Sequence, residues 1–461
     1  MITLRTNQTE PVRKGVEFFK QKKPKPSLII APTAFGKSIV ISKIAHEVND
    51  KIIVLQPSKE LLEQNLSKLE ALGGSASVYS ASMGIKEIGQ ITYATIGSIK
   101  SIGSKFRSLG FTKMIIDEAD RFPRTVDGML RTFLKDSGIT HVLGLTATPL
   151  KLQTNSFMMQ SYSILKMLTS KSKHGNFFKE IIHVCQVKEM IELGYWSKLL
   201  YEVYDFDTGK LIFNSSKAEY TEQSITDAYN DQNIESKIIK KVQESDRKSI
   251  LIFVPSVAQA ISLSAKIPNS QPVYGDMDKK IRAVAIEDFK NLKLRVVVNV
   301  NVLSIGFDHP ELDCIISGRP TASLSWWYQA IGRITRIHPK KDNGLIIDFA
   351  GNTPKFGKVE ELYYKQVGTE WKLFGEEGKL LTGIPMHEIG DHTEATDLAA
   401  ELGKQQIEKD CIITFGKYSG KKVSETSPSW RDWMIMNFDF TPKTEYIREE
   451  IIRLHSEKVG S

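Results

Sequence analysis

The sequence predicts an α/β protein with two doubly wound parallel-sheet lobes in tandem and a small C-terminal α+β region. Two stretches, residues 28–148 and 249–349, alternate short apolar runs with amphipathic segments, a pattern typical of strand–helix units in a parallel sheet. From residue 351 the pattern changes to scattered aromatic and charged residues. The expected parts are a first lobe, an insertion with an inter-lobe connection, a second lobe and an accessory region, at residues 1–150, 151–245, 246–350 and 351–461.

Each lobe has several candidate buried strands, which are short apolar runs bounded by turn or polar residues. In the first lobe they are Leu28–Ala31, Ile52–Leu55, Ile91–Ala94, Met114–Asp117 and Val142–Leu145. In the second lobe they are Ile250–Val254, Val273–Tyr274, Arg295–Asn299, Cys314–Ser317 and Gly344–Asp348.

The chain between the lobes is less regular. We expect Lys151–Lys179 to be irregular, and we interpret its basic stretch Lys166–His174 as a solvated insertion rather than a nucleic-acid-contacting element. Lys188–Gly194 has the pattern of one amphipathic helix, and Tyr195–Phe213 that of a β-rich connection.

The bulk composition indicates a polyanionic partner. Formal net charge is +8 and the pI is near 9.0, and an excess of Lys and Arg can replace the condensed counterions of nucleic acid. No apolar run approaches the roughly 20 residues that span a bilayer. Because Met1–Glu10 also lacks the apolar core of a secretory signal, we expect a cytoplasmic protein. Cys185, Cys314 and Cys411 lie far apart, which argues against a disulfide framework or a local zinc site.

The segment Ala31–Ser38 (A-P-T-A-F-G-K-S) follows a predicted strand and precedes a helical stretch, as a phosphate-binding loop does. Backbone N–H groups at a helix start hold phosphate oxygens, and the helix dipole favours their charge. Lys37 would reach the β- and γ-phosphates of ATP, and the Ser38 hydroxyl would bind Mg²⁺. Ala31 replaces the first glycine of the generic pattern. The candidate nucleotide-binding residues are Thr33, Ala34, Phe35, Gly36, Lys37 and Ser38.

A second motif, M-I-I-D-E-A-D at Met114–Asp120, is an apolar strand that ends in adjacent carboxylates. Such a strand places both carboxylates at the carboxyl edge of the sheet, where ligands bind in open α/β folds. Asp117 is a candidate ligand of hydrated Mg²⁺, and Glu118 a candidate base for the attacking water. The alternative, an acidic turn without chemistry, is disfavoured by the phosphate loop upstream.

A third motif, Q-A-I-G-R-I-T-R at Gln329–Arg336, places two arginines three residues apart on one face of a predicted helix. A fixed cation near the γ-phosphate stabilises the charge that develops in phosphoryl transfer. The same spacing is common on solvated helices, so the preceding motifs decide for a catalytic role of Gln329, Arg333 and Arg336.

In this order and spacing, the motifs resemble those of the superfamily 2 helicases over about Leu4–Asn352. The resemblance implies RecA-like lobes and ATP-driven movement on nucleic acid. It also implies that Arg5 and Gln8 recognise adenine, that Gly306 and Asp308 lie near the nucleotide, and that Gly144–Pro149 (G-L-T-A-T-P) couples hydrolysis to lobe movement.

Four further segments resemble helicase motifs that contact the nucleic-acid backbone. They are Gln56–Gln64, Tyr93–Ser98, Phe253–Ser256 and Asn299–Asp308. The candidate contact residues are Pro57, Ser58, Lys59, Thr95, Gly97, Phe253, Val254 and Asn301.

The tetrapeptide D-E-A-D at Asp117–Asp120 resembles that of DEAD-box RNA helicases, but three other motifs differ. DEAD-box enzymes have P-T-R-E-L-A, S-A-T and H-R-x-G-R, where this chain has P-S-K-E-L-L, T-A-T and Y-Q-A-I-G-R. These variants are similar to the DNA-directed branch of the superfamily.

Within that branch, the chain is similar to the RadD-like DNA repair helicases and to phage branch-migration helicases of the UvsW kind. The segments that carry this similarity are Lys59–Asn65, Val187–Tyr195, Val298–Asp308 and Gly344–Asn352. RadD-like proteins also carry a cysteine-rich element toward the C-terminus, whereas this chain has only Cys411 there.

The tail segment Ile413–Glu425 resembles a small F-G-K-Y-x-G-K module of phage and bacterial proteins and is followed by Trp430 and Trp433. The aromatic residues could stack a base beside a basic turn or form a small core, and we favour the core.

Together these features predict a monomeric DNA helicase that uses ATP and Mg²⁺ on forked or branched DNA without sequence specificity. Its C-terminal region could dock a protein partner. The alternatives are a double-strand DNA translocase, an RNA helicase and an ATP-gated clamp that binds DNA structures.

Overall fold

The computed structural model describes most of the chain, as two compact units, Met1–Gly390 and Asp391–Ser461. In the described part of the chain, no helix is long and apolar enough to cross a bilayer. Cys185 and Cys314 are buried free thiols, and Cys411 lies outside the described residues. The described residues are 3–122, 128–157, 160–170, 176–303, 307–389, 413, 418, 420–438, 447 and 450–451.

The first lobe contains a mostly parallel sheet of eight strands. The helices of this part of the chain are α1 (Thr6–Lys20), α2 (Lys37–Val48), α3 (Lys59–Ala71), α4 (Ile96–Ile99), α5 (Gly103–Ser108) and α6 (Met129–Ser137). The strands are β1 (Ser27–Ile30), β2 (Ile52–Gln56), β3 (Ser77–Ser80), β4 (Ile85–Lys86), β5 (Ile91–Thr95), β6 (Lys113–Ile116), β7 (His141–Thr146), β8 (Leu150–Phe157), β9 (Gln160–Met167) and β10 (Glu180–Val184). The sheet order is β10-β1-β7-β6-β2-β5-β3-β4, and only the β3–β4 pair is antiparallel.

Both faces of this sheet are covered, which explains why its central strands contain continuous apolar runs rather than alternating apolar and polar residues. Alternate residues of the strands enter two separate hydrophobic cores. Ile29, Val54 and Ile115 lie in one core, whereas Leu28 and Ile53 lie in the other. The doubly wound arrangement predicted from the sequence is therefore confirmed for the first lobe.

The region between the lobes differs from the prediction. Strands β8 and β9 form an antiparallel hairpin within the segment expected to be irregular, so that expectation is wrong. Leu150, Leu165 and Met167 are buried, but Leu152 is exposed and most residues farther along the hairpin are polar. The sequence therefore lacks the apolar alternation that indicates a strand. The basic stretch Lys166–His174 extends beyond the described residues.

The first-lobe sheet extends past the predicted boundary at residue 150, because β10 pairs with β1 at the sheet edge. The predicted helix is present as α7 (Val187–Glu192), and the β-rich connection contains β11 (Lys198–Val203). Because β11 pairs with a strand of the second lobe, the connection contributes one strand to each sheet.

The second lobe is a parallel six-stranded sheet. Its helices are α8 (Glu222–Asp231), α9 (Ile234–Glu244), α10 (Val257–Lys266), α11 (Lys279–Lys290), α12 (Leu324–Ile331) and α13 (Asn352–Phe356). Its further strands are β12 (Ile250–Phe253), β13 (Ser270–Val273), β14 (Val296–Asn299), β15 (Cys314–Ser317) and β16 (Asn343–Asp348). The order is β11-β16-β15-β12-β14-β13. Every strand predicted in the two lobes is present, and the predicted fold class is confirmed.

The region predicted as one accessory part from residue 351 is divided by the structure. A hairpin of β17 (Tyr363–Val367) and β18 (Glu370–Phe374) belongs to the first compact unit. In the second unit, Met434 of α14 (Pro428–Asn437) is buried in a small cluster against which Trp430 packs. Trp433 is 54% exposed. One of the two tryptophans therefore contributes to a core, as favoured from the sequence.

Gly144, within β7, tests how tightly the first lobe is packed. A Cβ at this position would lie 2.7–2.8 Å from side-chain atoms of Leu28, Ala119 and Phe178. We expect Gly144→Ala to lower the free energy of unfolding by about 1–3 kcal/mol, because overpacking displaces well-packed neighbours. Urea denaturation measures the change. Gly275→Ala, at a position with open space for a Cβ, is the matched control, and equal stability of the two variants would contradict the packing.

Candidate active site between the two lobes

The phosphate loop joins β1 to α2 and lines a cavity of about 730 Å³. Ala34 (φ 58°) and Gly36 (φ 88°) have left-handed backbone conformations. A Cβ at Gly36 would lie 2.6 Å from Gln8 Nε2, so glycine is required both by the φ angle and by this close approach. The turn brings Lys37, the first residue of α2, to the cavity together with the N–H groups of the helix start.

Asp117 and Glu118 follow β6 and line the same cavity. The Asp117 carboxylate accepts hydrogen bonds from Asn65 Nδ2 at 2.8 Å and from the Glu118 backbone N–H at 2.9 Å. Burial, and after it the charge of Glu118, raises the pKa of Asp117 to about 6. Glu118 has a φ of 45°, so the chain turns sharply between the two carboxylates and the following 3₁₀ turn.

Lys37 connects the phosphate loop to the carboxylates. Its Nζ lies 3.2 Å from Glu118 Oε1, and both side chains are largely buried. In the described part of the structure, the buried Oε2 of Glu118 has no hydrogen-bond partner. Because an unpaired buried acceptor costs about 1–3 kcal/mol, the geometry favours a further donor here, as an attacking water would provide.

The second lobe supplies two arginines to the cavity. Helix α12 ends at Ile331, and Arg333 lies in the turn that follows, where the N–H groups of Arg333 and Ile334 bond carbonyls three residues earlier. Arg336 comes directly after this turn. The prediction that both arginines share a face of one continuous helix is therefore wrong. A tighter turn takes the place of a further helical turn, and the side chains of both arginines line the cavity.

Each arginine is held by hydrogen bonds within the second lobe. Arg333 donates from Nε to Gln329 O at 3.1 Å and from Nη1 to Phe307 O at 3.0 Å. Arg336 Nε lies 2.8 Å from Asp308 Oδ1, while its buried Nη1 has no partner among the described residues. Burial, and after it the charge of Arg336, lowers the pKa of Arg333 to about 10, so this guanidinium stays charged at neutral pH. Fixed cations of this kind stabilise charge that develops on transferred phosphate.

Arg5 and Gln8 contact the phosphate loop from α1 and its N-terminal flank. Gln8 Nε2 donates to Phe35 O at 2.6 Å, and Gln8 Oε1 accepts from the Arg5 backbone N–H at 2.9 Å. Arg5 Nη1 donates to Ala34 O at 3.1 Å, and its guanidinium lies 4.6 Å from the centre of the Tyr195 ring. Arg5 lines the cavity, whereas Gln8 and Phe35 are buried and support the loop. Adenine recognition by Arg5 and Gln8 stays a prediction.

A hydrogen-bonded chain links the two lobes beside the carboxylates. Asp120 accepts hydrogen bonds from the hydroxyls of Thr146 at 2.5 Å and Thr148 at 3.1 Å. Gln329 of the second lobe donates from Nε2 to Thr148 Oγ1 at 3.1 Å. The predicted coupling motif Gly144–Pro149 therefore lies between the end of β6 and the helix that precedes the arginines.

Lobe contact also depends on Gly332. A Cβ at this position would lie 2.5–2.7 Å from the side chain of Thr33 in the phosphate loop. Trp196 Nε1 donates to Thr33 O at 2.9 Å from the connecting segment. Thr33 is thus held between the second lobe and the inter-lobe connection, and a larger side chain at residue 332 would separate the two lobes.

In the first lobe, the predicted nucleic-acid contacts follow two adjacent strands, β2 and β5. Ser58 Oγ accepts a hydrogen bond from the Leu61 backbone N–H at 3.3 Å and caps α3, next to Pro57 and Lys59. The Thr95 hydroxyl lies 2.8 Å from Ser98 Oγ, and Gly97 is exposed. These positions share the carboxyl edge of the sheet with the nucleotide site, and their contact with a strand stays a prediction.

In the second lobe, only part of the predicted contact set is accessible. Asn301 follows β14 and is exposed, and Gly306 lies outside the described residues. Phe253 and Val254 are buried, at 1% and 0% exposure, and Phe253 packs edge-on against Trp326. Their side chains cannot contact nucleic acid as predicted, because they are part of the hydrophobic core at the end of β12.

The donor set at the cavity fits a magnesium ion bound together with nucleotide phosphates. Asp117 offers a carboxylate and Ser38 a hydroxyl, the hard oxygen ligands that Mg²⁺ prefers. The raised pKa of Asp117 reflects a buried negative charge next to Glu118, which a divalent cation would offset.

Several contacts in this site were not predicted from the sequence. Asn65, Tyr195 and Trp196 each contact a motif residue through hydrogen bonds or ring packing. Lys290 of α11 also lines the cavity. Asn65 and Tyr195 end two of the segments that carry the similarity to RadD-like helicases, but nothing local assigns them these contacts, because their partners lie in distant parts of the chain.

A phosphate loop, paired carboxylates and two arginines around one inter-lobe cavity define an ATP-hydrolysing enzyme of the two-lobed motor class. Two family models match the chain, the res subunit of type III restriction enzymes over residues 1–151 and the helicase conserved C-terminal domain over residues 232–338. Together the two matches identify the lobes as those of a superfamily 2 helicase, and they support an ATP-hydrolysing enzyme that depends on nucleic acid.

Individual relatives agree with this assignment. The chain is 25% identical over 373 residues to the putative ATP-dependent helicase IRC3 of Saccharomyces cerevisiae, covering 76% of this chain and 51% of that protein. It is 26% identical over 357 residues to putative helicase 22 of a Sulfolobus islandicus filamentous virus, covering 72% and 61%. The chain thus spans between about half and two thirds of these relatives' lengths. Other relatives are named as DEAD-box ATP-dependent RNA helicases.

The fold is similar to a fragment of a putative HsdR subunit of a type I restriction enzyme from Vibrio vulnificus. The TM-score is 0.57 at 18% identity, over 76% of this chain and 65% of that one. This similarity supports the two-lobed fold alone.

Replacing Glu118 by Gln tests its assignment as the base. We expect kcat for ATP to fall about 10²–10⁴-fold, because the amide cannot accept a proton from the attacking water. Affinity for a fluorescent ATP analogue should persist, since Lys37 and Asp117 remain. Steady-state ATPase assays and equilibrium titration provide the two readouts. Glu70→Gln, an exposed change on α3, is the control, and near-normal turnover in Glu118→Gln would exclude the assignment.

Gly332→Ala tests the closed contact between the lobes. The new methyl group would collide with Thr33, so we expect kcat to fall at least about tenfold, because small displacements of reacting groups are costly. Binding of the ATP analogue to the first lobe should change much less. Gly275→Ala provides a second-lobe control, and an unchanged kcat in Gly332→Ala would show that hydrolysis does not require this contact.

Proposed function

We propose that the protein is an ATP-dependent DNA helicase that acts on forked or branched DNA, similar to the RadD-like and UvsW-like group. The observation that carries DNA over RNA is the environment of α12. Ala330 is fully buried, and Gln329 is bonded to Thr148. In the DEAD-box pattern H-R-x-G-R, an arginine occupies the position of Ala330. Its side chain would have no room here, so α12 packs differently from the corresponding DEAD-box helix.

Hydrolysis begins with ATP binding to the first lobe. Lys37, paired with Glu118 at 3.2 Å, would move to the β- and γ-phosphates and leave Glu118 to orient and deprotonate water. Bound by Asp117 and Ser38, magnesium would offset charge between the phosphates. Packing of Gly332 on Thr33 brings Arg333 and Arg336 to the same cavity, so the closed form completes the site.

Movement on DNA would follow from alternate closing and opening of the lobes. The predicted contact positions after β2 and β5 lie on one lobe, and Asn301 lies on the other. Relative motion of the lobes would therefore shift one set of contacts along the strand with respect to the other. Contacts made mainly to phosphates predict little sequence specificity and strong salt dependence. The β8–β9 hairpin is a candidate element for parting strands.

An ATPase panel tests this proposal. Steady-state rates would be measured without polymer and with single-stranded DNA, duplex, a fork, a four-way junction and RNA, using Glu118→Gln as the blank. We expect the greatest stimulation with the fork or junction, and this stimulation should weaken steeply as salt rises, because phosphate contacts release counterions.

Each of the other outcomes of the ATPase panel would support one of the alternative functions. Equal stimulation by plain duplex, without strand displacement on a fork, would support a double-strand translocase. Stimulation by RNA alone would exclude DNA as the substrate. Tight binding of a junction with no increase in ATPase rate would support an ATP-gated clamp.

A further inference from the structure

A chain of buried polar side chains crosses the first lobe and ends at Asp117. Tyr93, Ser42 and Asn65 each have 0% exposure, and Asp117 has 3%. Buried polar groups are normally retained only where they are hydrogen-bonded. None of the helicase motifs read from the sequence assigns a role to Ser42 or Asn65.

The hydrogen bonds in this chain have a defined direction. Ser42 Oγ lies 3.4 Å from the backbone carbonyl of Asn65, to which only the serine can donate. Since the Ser42 proton is used there, the Tyr93 hydroxyl, 3.2 Å away, donates to Ser42. Burial raises the pKa of Tyr93, so its hydroxyl keeps that proton. Asn65 Nδ2 then donates to Asp117 Oδ2 at 2.8 Å.

The four side chains come from the elements that carry the main motifs. Tyr93 lies on β5, two residues before the predicted contact Thr95, and Ser42 lies on α2, which begins with the phosphate-loop residue Lys37. Asn65 lies on α3, about two helical turns after the predicted contact Ser58. These hydrogen bonds therefore connect the two elements of this lobe that are predicted to contact nucleic acid, α3 and β5, to the predicted metal-binding carboxylate of Asp117.

We propose that Asn65 is a positioning residue that orients Asp117 and transmits nucleic-acid binding at α3 and β5 to it. This inference rests on the proposed DNA-stimulated ATPase. A short helix moves as a rigid body. A nucleic-acid strand that binds the first turn of α3 and displaces it therefore also displaces Asn65. The Oδ1 of Asn65 is buried and has no hydrogen-bond partner among the described residues. The orientation of its amide is thus set through Asp117 alone.

The test compares Asn65→Leu and Asn65→Asp with the wild type. Leucine fills the space without a donor, and aspartate places a like charge against Asp117. We expect the Mg²⁺ concentration for half-maximal binding of a fluorescent non-hydrolysable ATP analogue to rise about tenfold or more, the order found when the hydrogen-bond partner of a metal ligand is lost. Stimulation of the ATPase by the best DNA should fall at least about threefold.

Tyr93→Phe removes the hydroxyl at the end of the hydrogen-bonded series that is farthest from Asp117, and it leaves the metal site unchanged. It should reduce DNA stimulation while the Mg²⁺ dependence of analogue binding changes less than twofold to threefold, because the Asn65–Asp117 bond remains. Thr92→Val is the matched control, since Thr92 is buried on the same strand but bonds Gly89 O instead. Thr92→Val should change neither readout.

Thermal unfolding of each variant separates this role from loss of structure. If Asn65→Leu and Asn65→Asp fold but keep the wild-type Mg²⁺ dependence and DNA stimulation, the inference is wrong. If both variants unfold, Tyr93→Phe decides, and normal stimulation in that variant overturns the proposal. A wild type that no DNA stimulates would instead refute the proposed function, while a Mg²⁺ shift in Asn65→Leu would still support the positioning role.

Discussion

Two adjacent carboxylates, Asp117 and Glu118, sit at the end of a buried strand, and the site is arranged around their charge. Burial of one next to the other is unfavourable, as the raised pKa of Asp117 shows. Lys37 pairs with Glu118, and Asn65 donates to Asp117. Without Lys37 and the hydrogen bond from Asn65, which both lower the pKa of Asp117, the pKa of this buried carboxyl would rise further.

The second constraint is the closeness of the lobes. Gly332 packs against Thr33 so tightly that no Cβ could be added, and Gln329 reaches Thr148 across the same interface. A site divided between lobes is complete only when they touch, which makes its chemistry depend on a conformational step. Gly332 and Gln329 therefore hold the two lobes together next to the arginines.

Much of the fold could be predicted because its signals are local. Fully buried parallel strands such as β2 contain a continuous apolar run, and the glycine of the phosphate loop marks a left-handed turn. The β8–β9 hairpin was missed because its sequence is largely polar. In the site, Phe253 and Val254 match a motif but lie in the core. Burial at a strand end and the early end of α12 depend on packing between distant segments, which no local pattern reveals.

Two hydrogen-bonded routes reach the turn that follows β6, from opposite sides. From the first lobe, Asn65 bonds Asp117, and from the second lobe Gln329 reaches Asp120 through Thr148. Only two residues, one of them Glu118, separate these endpoints in sequence, and the intervening backbone is a tight 3₁₀ turn with little freedom to absorb a shift. A displacement from either route must therefore move Glu118 relative to Lys37. If Glu118 is the base and the first lobe binds the nucleic acid as proposed, substrate engagement by one lobe and closure of the other can thus act on the same group without any direct contact with it.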